Sequence, residues 1–170
     1  MFSKHRYIIP LAALLATSAS AYAGGDFVVI RHTTANLVDA TPRLLSTFNL
    51  PPNVNTINLL ANYAVLDLVV RQSEFDFNEV YINPPTTVCT ANSTDANQPA
   101  SIGMLDEHDD INLKGENATN HFTVNPSLLR PGNNVLMICI RSVTGAAGPG
   151  IGNLDNVAIR SAVLHYHTIP

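Results

Sequence analysis

Asp106-Glu107-His108-Asp109-Asp110 is the densest run of metal-ligating side chains in the chain. Asp106, Glu107, Asp109 and Asp110 offer the hard oxygens that Ca²⁺ takes, about six to eight at a time. Their spacing departs from the D-x-D-x-D-G calcium loop, and an acidic run also reads as a solvated loop. His165 and His167 stand two apart, on one face of a regular strand, where two imidazoles suit a transition metal. His121 or His32 could supply a third ligand; two surface histidines without a metal is the plainer account. Carboxylates are numerous enough to supply a glycosidase pair. No spacing singles one out, and neither a G-x-S-x-G elbow nor an H-E-x-x-H motif occurs. Gly145 to Gly152 lacks the G-K-[ST] of a phosphate loop, and a mobile surface loop is the simpler reading.

These residues need strands to position them. His121–Arg141 reads strand, crossing loop, turn, strand. Phe122 and Val124 alternate with Thr123 and Asn125, the period of a half-buried strand. Pro131-Gly132 supplies turn chemistry, with the glycine taking positive φ. Val135 to Ile140 is unbroken apolar and predicts a strand buried on both faces. Further strands are expected at Phe27–Ile30, Leu44–Leu50, Ala61–Arg71 and Val157–His167, the last with a bulge near Arg160–Ala162. In Glu79–Asn83, Val80 and Ile82 are expected inward, with Glu79, Tyr81 and Asn83 outward. Ala35–Leu45 holds one short helical turn at best, because Pro42 interrupts it. No helical period persists, so the expectation is one all-β sandwich.

Residues 1–23 have the form of a secretory signal. Lys4 and Arg6 precede the apolar Ile8–Ala16, and Ala21-Tyr22-Ala23 is an A-x-A site. The expected domain is therefore residues 24–170, exported to a periplasmic or extracellular space after cleavage near Ala23. The apolar run is shorter than the roughly 20 residues that span a bilayer, so no membrane insertion is expected once the signal is removed. Of the nine basic residues, losing Lys4 and Arg6 leaves seven against thirteen acids, a formal charge of −6. That balance argues against nucleic acid and anionic membranes as partners. Cys89 and Cys139, the only cysteines, are expected to pair in an oxidising compartment.

The run Phe122-x-Val124-Asn125-Pro126-Ser127-Leu128-Leu129-Arg130-Pro131-Gly132-Asn133-Asn134-Val135-Leu136, with the earlier Val80-x-Ile82-Asn83, resembles the galactose-binding-like jelly rolls. That family includes carbohydrate-binding modules and sugar-binding domains of glycosidases. Gly152-Asn153-Leu154-Asp155 is similar to the N-L-D run before the last strand of some modules. The likeness covers about residues 44–166. It departs from the pattern at Pro84, where a glycine is usual, and at Asn156, where an aromatic is frequent. The resemblance implies a single jelly-roll sandwich, with carbohydrate as the leading ligand class and a structural calcium as a possible companion. Sugar binding calls for a flat aromatic and for amides or carboxylates facing the hydroxyls. Tyr81, Asn83, Asn153 and Asp155 are the candidate contacts. Tyr81 under a loop, and Asn153 as a turn residue, are the competing structural readings.

The first expectation is thus an exported, non-catalytic binding module for polysaccharide. The alternative is a structural or protein-interaction component of the cell envelope or surface. A metal-dependent hydrolase, resting on Asp106–Asp110 and the H-x-H pair, is the third.

Overall fold

A computed structural model describes residues 25–57, 63–71, 73, 78–89, 100–105, 117–142 and 154–169. The expected signal at 1–23, the candidate ligands Asp106, Glu107, Asp109, Asp110 and Asn153, and the expected loop at Gly145–Gly152 lie outside the described residues.

Alternation decides the first sheet. In β4 (Ala64–Arg71), Ala64, Leu66, Leu68 and Val70 are buried, while Val65, Asp67, Val69 and Arg71 face outward. Burying a side chain such as Leu66 contributes about 1.5–3 kcal/mol. A one-residue slip would expose all four and draw Asp67 and Arg71 inward, so the register is strongly specified. β4 lies between β7 (Ala118–Val124) and β9 (Val157–His167). Beyond β9, β1 (Gly25–Arg31) and β2 (Ala35–Leu37) pair with successive parts of that long strand. The short β2 corrects the expectation of a helical turn after Ala35. Its Leu37 is buried, and Val38 and Thr41 close a turn by exchanging backbone hydrogen bonds. The expected bulge is present: Val69 and Val70 pair with Ser161 and Ile159, so Arg160 is the extra residue.

The second sheet has the order β3 (Arg43–Leu50), β8 (Gly132–Cys139), β5 (Glu79–Ile82), β6 (Ser101–Met104). Every pairing in both sheets is antiparallel. β7 and β8 thus belong to different sheets, and residues 125–131 cross between them. Asn125 starts the crossing by accepting from Ser127 N–H at 3.0 Å, which caps a 3-10 turn over Pro126–Leu128. Gly132, at φ 78°, ends it, as the Pro-Gly pair predicted.

Leu66, Leu68, Phe122, Ile159 and Leu164 of the first sheet form one cluster with Leu44, Phe48, Val80, Leu136 and Ile138 of the second. Two antiparallel sheets closing on one apolar layer are the arrangement of a β-sandwich. A smaller cluster lies on the far side of the second sheet, where Tyr81, Met137 and Cys139 meet Ala100 and the half-buried Cys89. Cys89 and Cys139 are disulfide-bonded. This outer layer explains the unbroken apolar run of β8, because residues of both parities are covered. Among the described residues, no helix is long and apolar enough to cross a membrane.

Candidate functional site

Of the two readings of Tyr81, exposed platform or residue packed under a loop, the structure gives the packed one, with the hydroxyl bonded to protein: Tyr81 is 1% exposed and Glu79 2%, so the outward side of β5 is buried as well. Among the described residues, Ala100 and Cys89 pack on that side beside Tyr81 and Met137, with Cys89 held there by its bridge to Cys139. Tyr81 is therefore not an exposed platform. Its hydroxyl donates to the Glu79 carboxylate, which Arg141, also fully buried, engages as an ion pair. Arg141 Nη2 also lies 3.2 Å from the Tyr81 oxygen. Burial, reinforced by Glu79 and opposed by Arg141, pushes the Tyr81 phenol up to about 12.

Asn83 and Asp155 are likewise built into the scaffold. Asn83 sits at φ 50°, a conformation that asparagine tolerates better than most residues. Its Nδ2 donates to Leu128 O and Asn134 Oδ1, both at 2.7 Å, and its Oδ1 accepts from Val135 N–H at 2.8 Å. Asp155 is 1% exposed and accepts from the Asn78 side chain and from Asn156 N–H. Asn78 Oδ1 in turn accepts from Arg141 N–H at 2.9 Å, and Asp155 N–H donates to Arg141 O at 3.0 Å. These bonds tie the segment entering β9 to the entrance of β5 and the exit of β8. In a buried setting each such polar group costs free energy unless paired, which accounts for their dense bonding.

The exposed chemistry gathers on the outer face of the first sheet. Strand register lays Phe27, His165, Val65 and Thr123 in one row across β1, β9, β4 and β7. The next row is Val29, Val163, Asp67 and His121. Asp67 joins them: its Oδ1 lies 2.7 Å from His121 Nδ1, and its Oδ2 lies 3.1 Å from His165 Nε2. A carboxylate only accepts, so both of those ring nitrogens carry protons. Phe27 tilts at 41° to the His165 ring, with centroids 6.3 Å apart. A shallow open cleft of about 220 Å³ lies here, lined by Gly25, Asp26, Phe27, Tyr63, Val65, His165, Tyr166 and His167. Phe27, Tyr63 and Val65 remain exposed along it. Tyr166, its phenol raised by burial and by Asp26, stays protonated beside the cleft floor.

His165 and His167 both line this cleft, yet the partner His165 finds is His121, through Asp67. Among the described residues, no group of three His, Cys, Asp or Glu is arranged to hold a metal ion. The residues of this face are visible in the sequence, where Asp67 alternates with the apolar Leu66 and Leu68. The order β1-β9-β4-β7 was not visible, and that order makes neighbours of side chains 54 and 98 positions apart. No protein-family model and no curated protein matches the chain.

Proposed function

We propose that this chain is an exported, non-catalytic module of the galactose-binding-like jelly-roll type, and that it binds carbohydrate on the outer face of the first sheet. The cleft carries this reading. Phe27, Tyr63 and Val65 supply apolar surface for the hydrophobic face of a sugar ring. His165 and His167 supply polar ring nitrogens for its hydroxyls. At about 220 Å³ the cleft is smaller than the roughly 300–1,000 Å³ of a drug-sized site, so it suits one sugar ring with the remaining polymer in solvent.

The family likeness supports the fold half of the proposal. Asn83 and Asn134, two positions that carry the likeness, bond to each other and clasp β5 to β8. The disulfide supports export, because such bonds persist in oxidising compartments.

Affinity gels and glycan arrays with the protein lacking residues 1–23, run with and without Ca²⁺, test the proposal. Retention on at least one polysaccharide, lost in Phe27→Ala/Tyr63→Ala, is the expected result. No retention in either condition overturns it.

A further inference from the structure

We infer that β1 is an assembly edge, through which two copies of this chain join their first sheets by antiparallel β1–β1 pairing. Among the described residues, no strand pairs with the side of β1 away from β9.

The direction of its backbone groups follows from β9. His167 O accepts from Asn55 N–H at 2.8 Å, so it is engaged outside the β1–β9 ladder. Alternation then aims Tyr166 and Leu164 toward β1, where they meet Asp26 and Val28. Gly25, Phe27 and Val29 therefore direct their backbone groups to the open edge. One contact confirms this: Phe27 N–H, off the ladder, is taken by the Asp26 side chain at 2.8 Å. Val29 has no comparable side-chain cap among the described residues.

Natural edge strands are blunted by lysine, proline, short length, bulges or charge. β1 is seven residues long, GDFVVIR, with neither lysine nor proline; its bulge at Ile30 and its charges at Asp26 and Arg31 lie outside the central Phe27–Val29 stretch. Its outward side chains include Phe27 at 60% and Val29 at 49% exposure, the former among the most exposed large apolar residues described.

A second copy is the occupant that this strand fits. A two-fold axis through Val28 sets Phe27 of each copy opposite Val29 of the other, giving two aromatic–β-branched cross-strand pairs on the outer face. The same register sets Asp26 of each copy opposite Ile30 of the other, one position from Arg31, so acid lies near base at both ends of the pairing. The pairing leaves the cleft face open and sets two clefts on one continuous sheet. It stands whether or not the cleft takes sugar.

Sedimentation of the protein lacking residues 1–23, from micromolar to millimolar concentration, tests it together with Val29→Pro and Val29→Lys. Proline at 29 removes an open-edge N–H without touching the β9 ladder. The expected result is a concentration-dependent dimer, weakened about tenfold or more in both variants, with unfolding midpoints near the parent's. An equimolar mixture of Phe27→Cys and Val29→Cys is expected to form a disulfide-linked heterodimer, because that register makes them direct neighbours. A strictly monomeric parent, a dimer unchanged by both variants, or no heterodimer cross-link overturns the proposal. Glycan retention reads the cleft separately, so failure of one proposal is distinguishable from failure of the other.

Discussion

Asn83 donates to Asn134 Oδ1 at 2.7 Å, joining the end of β5 to the start of β8 across 51 positions of sequence. Asn134 is fully buried and uses the rest of its amide on the turn that launches β8. Its Nδ2 donates to Arg130 O and Gly132 O at 2.8 Å, and its Oδ1 also accepts from Arg130 N–H at 3.1 Å. Two amides thus fix where the crossing from the first sheet ends and the second begins.

Replacing Asn134 by leucine is expected to destabilise the fold by about 1–3 kcal/mol, because Asn83 and the backbone groups of Arg130 and Gly132 lose their partner at a fully buried position. Asn83→Gly keeps the positive φ comfortable and loses only the side-chain bonds, so it should cost less than Asn83→Ala. Urea unfolding of the four proteins checks the order. Equal stability for parent and Asn134→Leu would remove the clasp from the account.

Alkaline titration should expose Tyr81. Its phenol is raised from 10.0 to about 12 in the fold. Below pH 10 the phenol is protonated in both states, and its contribution is fully present. As pH rises from 10 to 12, the unfolded chain releases the proton first, so stability falls with pH. Tyr166 adds a loss of the same sign. Tyr81→Phe is expected to flatten the decline measured by unfolding at a series of pH values. An unchanged slope would mean that Tyr81 titrates alike in both states.

Much of the fold was legible because burial imposes periodicity. The alternation of Leu66, Leu68 and Val70 marked β4, and the unbroken Val135–Ile140 marked a strand covered on both sides. The site was less legible. Tyr81 and Val80 alternate correctly along β5, but local period cannot report that the disulfide-bound cover buries the outward side too. In the same way, Asp67, His121 and His165 each had the right parity, while their meeting depends on a strand order set by long-range pairing. Local pattern fixes which face a residue takes; it does not fix what lies against that face.

Breaking the Cys89–Cys139 bridge should act through both of its ends. The two cysteines are 50 positions apart, and a closed loop of that length contributes about 4 kcal/mol by chain entropy. Cys89→Ser/Cys139→Ser is therefore expected to unfold at markedly lower urea. The bridge also anchors the cover over Tyr81, so the double variant should expose the Tyr81 environment in near-ultraviolet circular dichroism before global unfolding. Coincident loss of both signals would confine the role of the bridge to the unfolded chain.

Gly103 tests how closely the two sheets approach. It lies in β6 at φ 146°, in a region that side chains rarely adopt, and a Cβ there would come within 3.0 Å of the Phe122 ring in the opposite sheet. Phe122 is itself buried in the shared core and has little room to withdraw. Gly103→Ala is expected to cost about 1–3 kcal/mol from the clash, with backbone strain added. If the clash dominates, Gly103→Ala/Phe122→Leu should recover part of the loss, because the smaller side chain yields the space. If backbone strain dominates, the double variant should be less stable than either single one, since it adds a cavity to an unrelieved φ. Thermal unfolding of the three variants separates these outcomes, and a stable Gly103→Ala would show that β6 can move away from β7 at no cost.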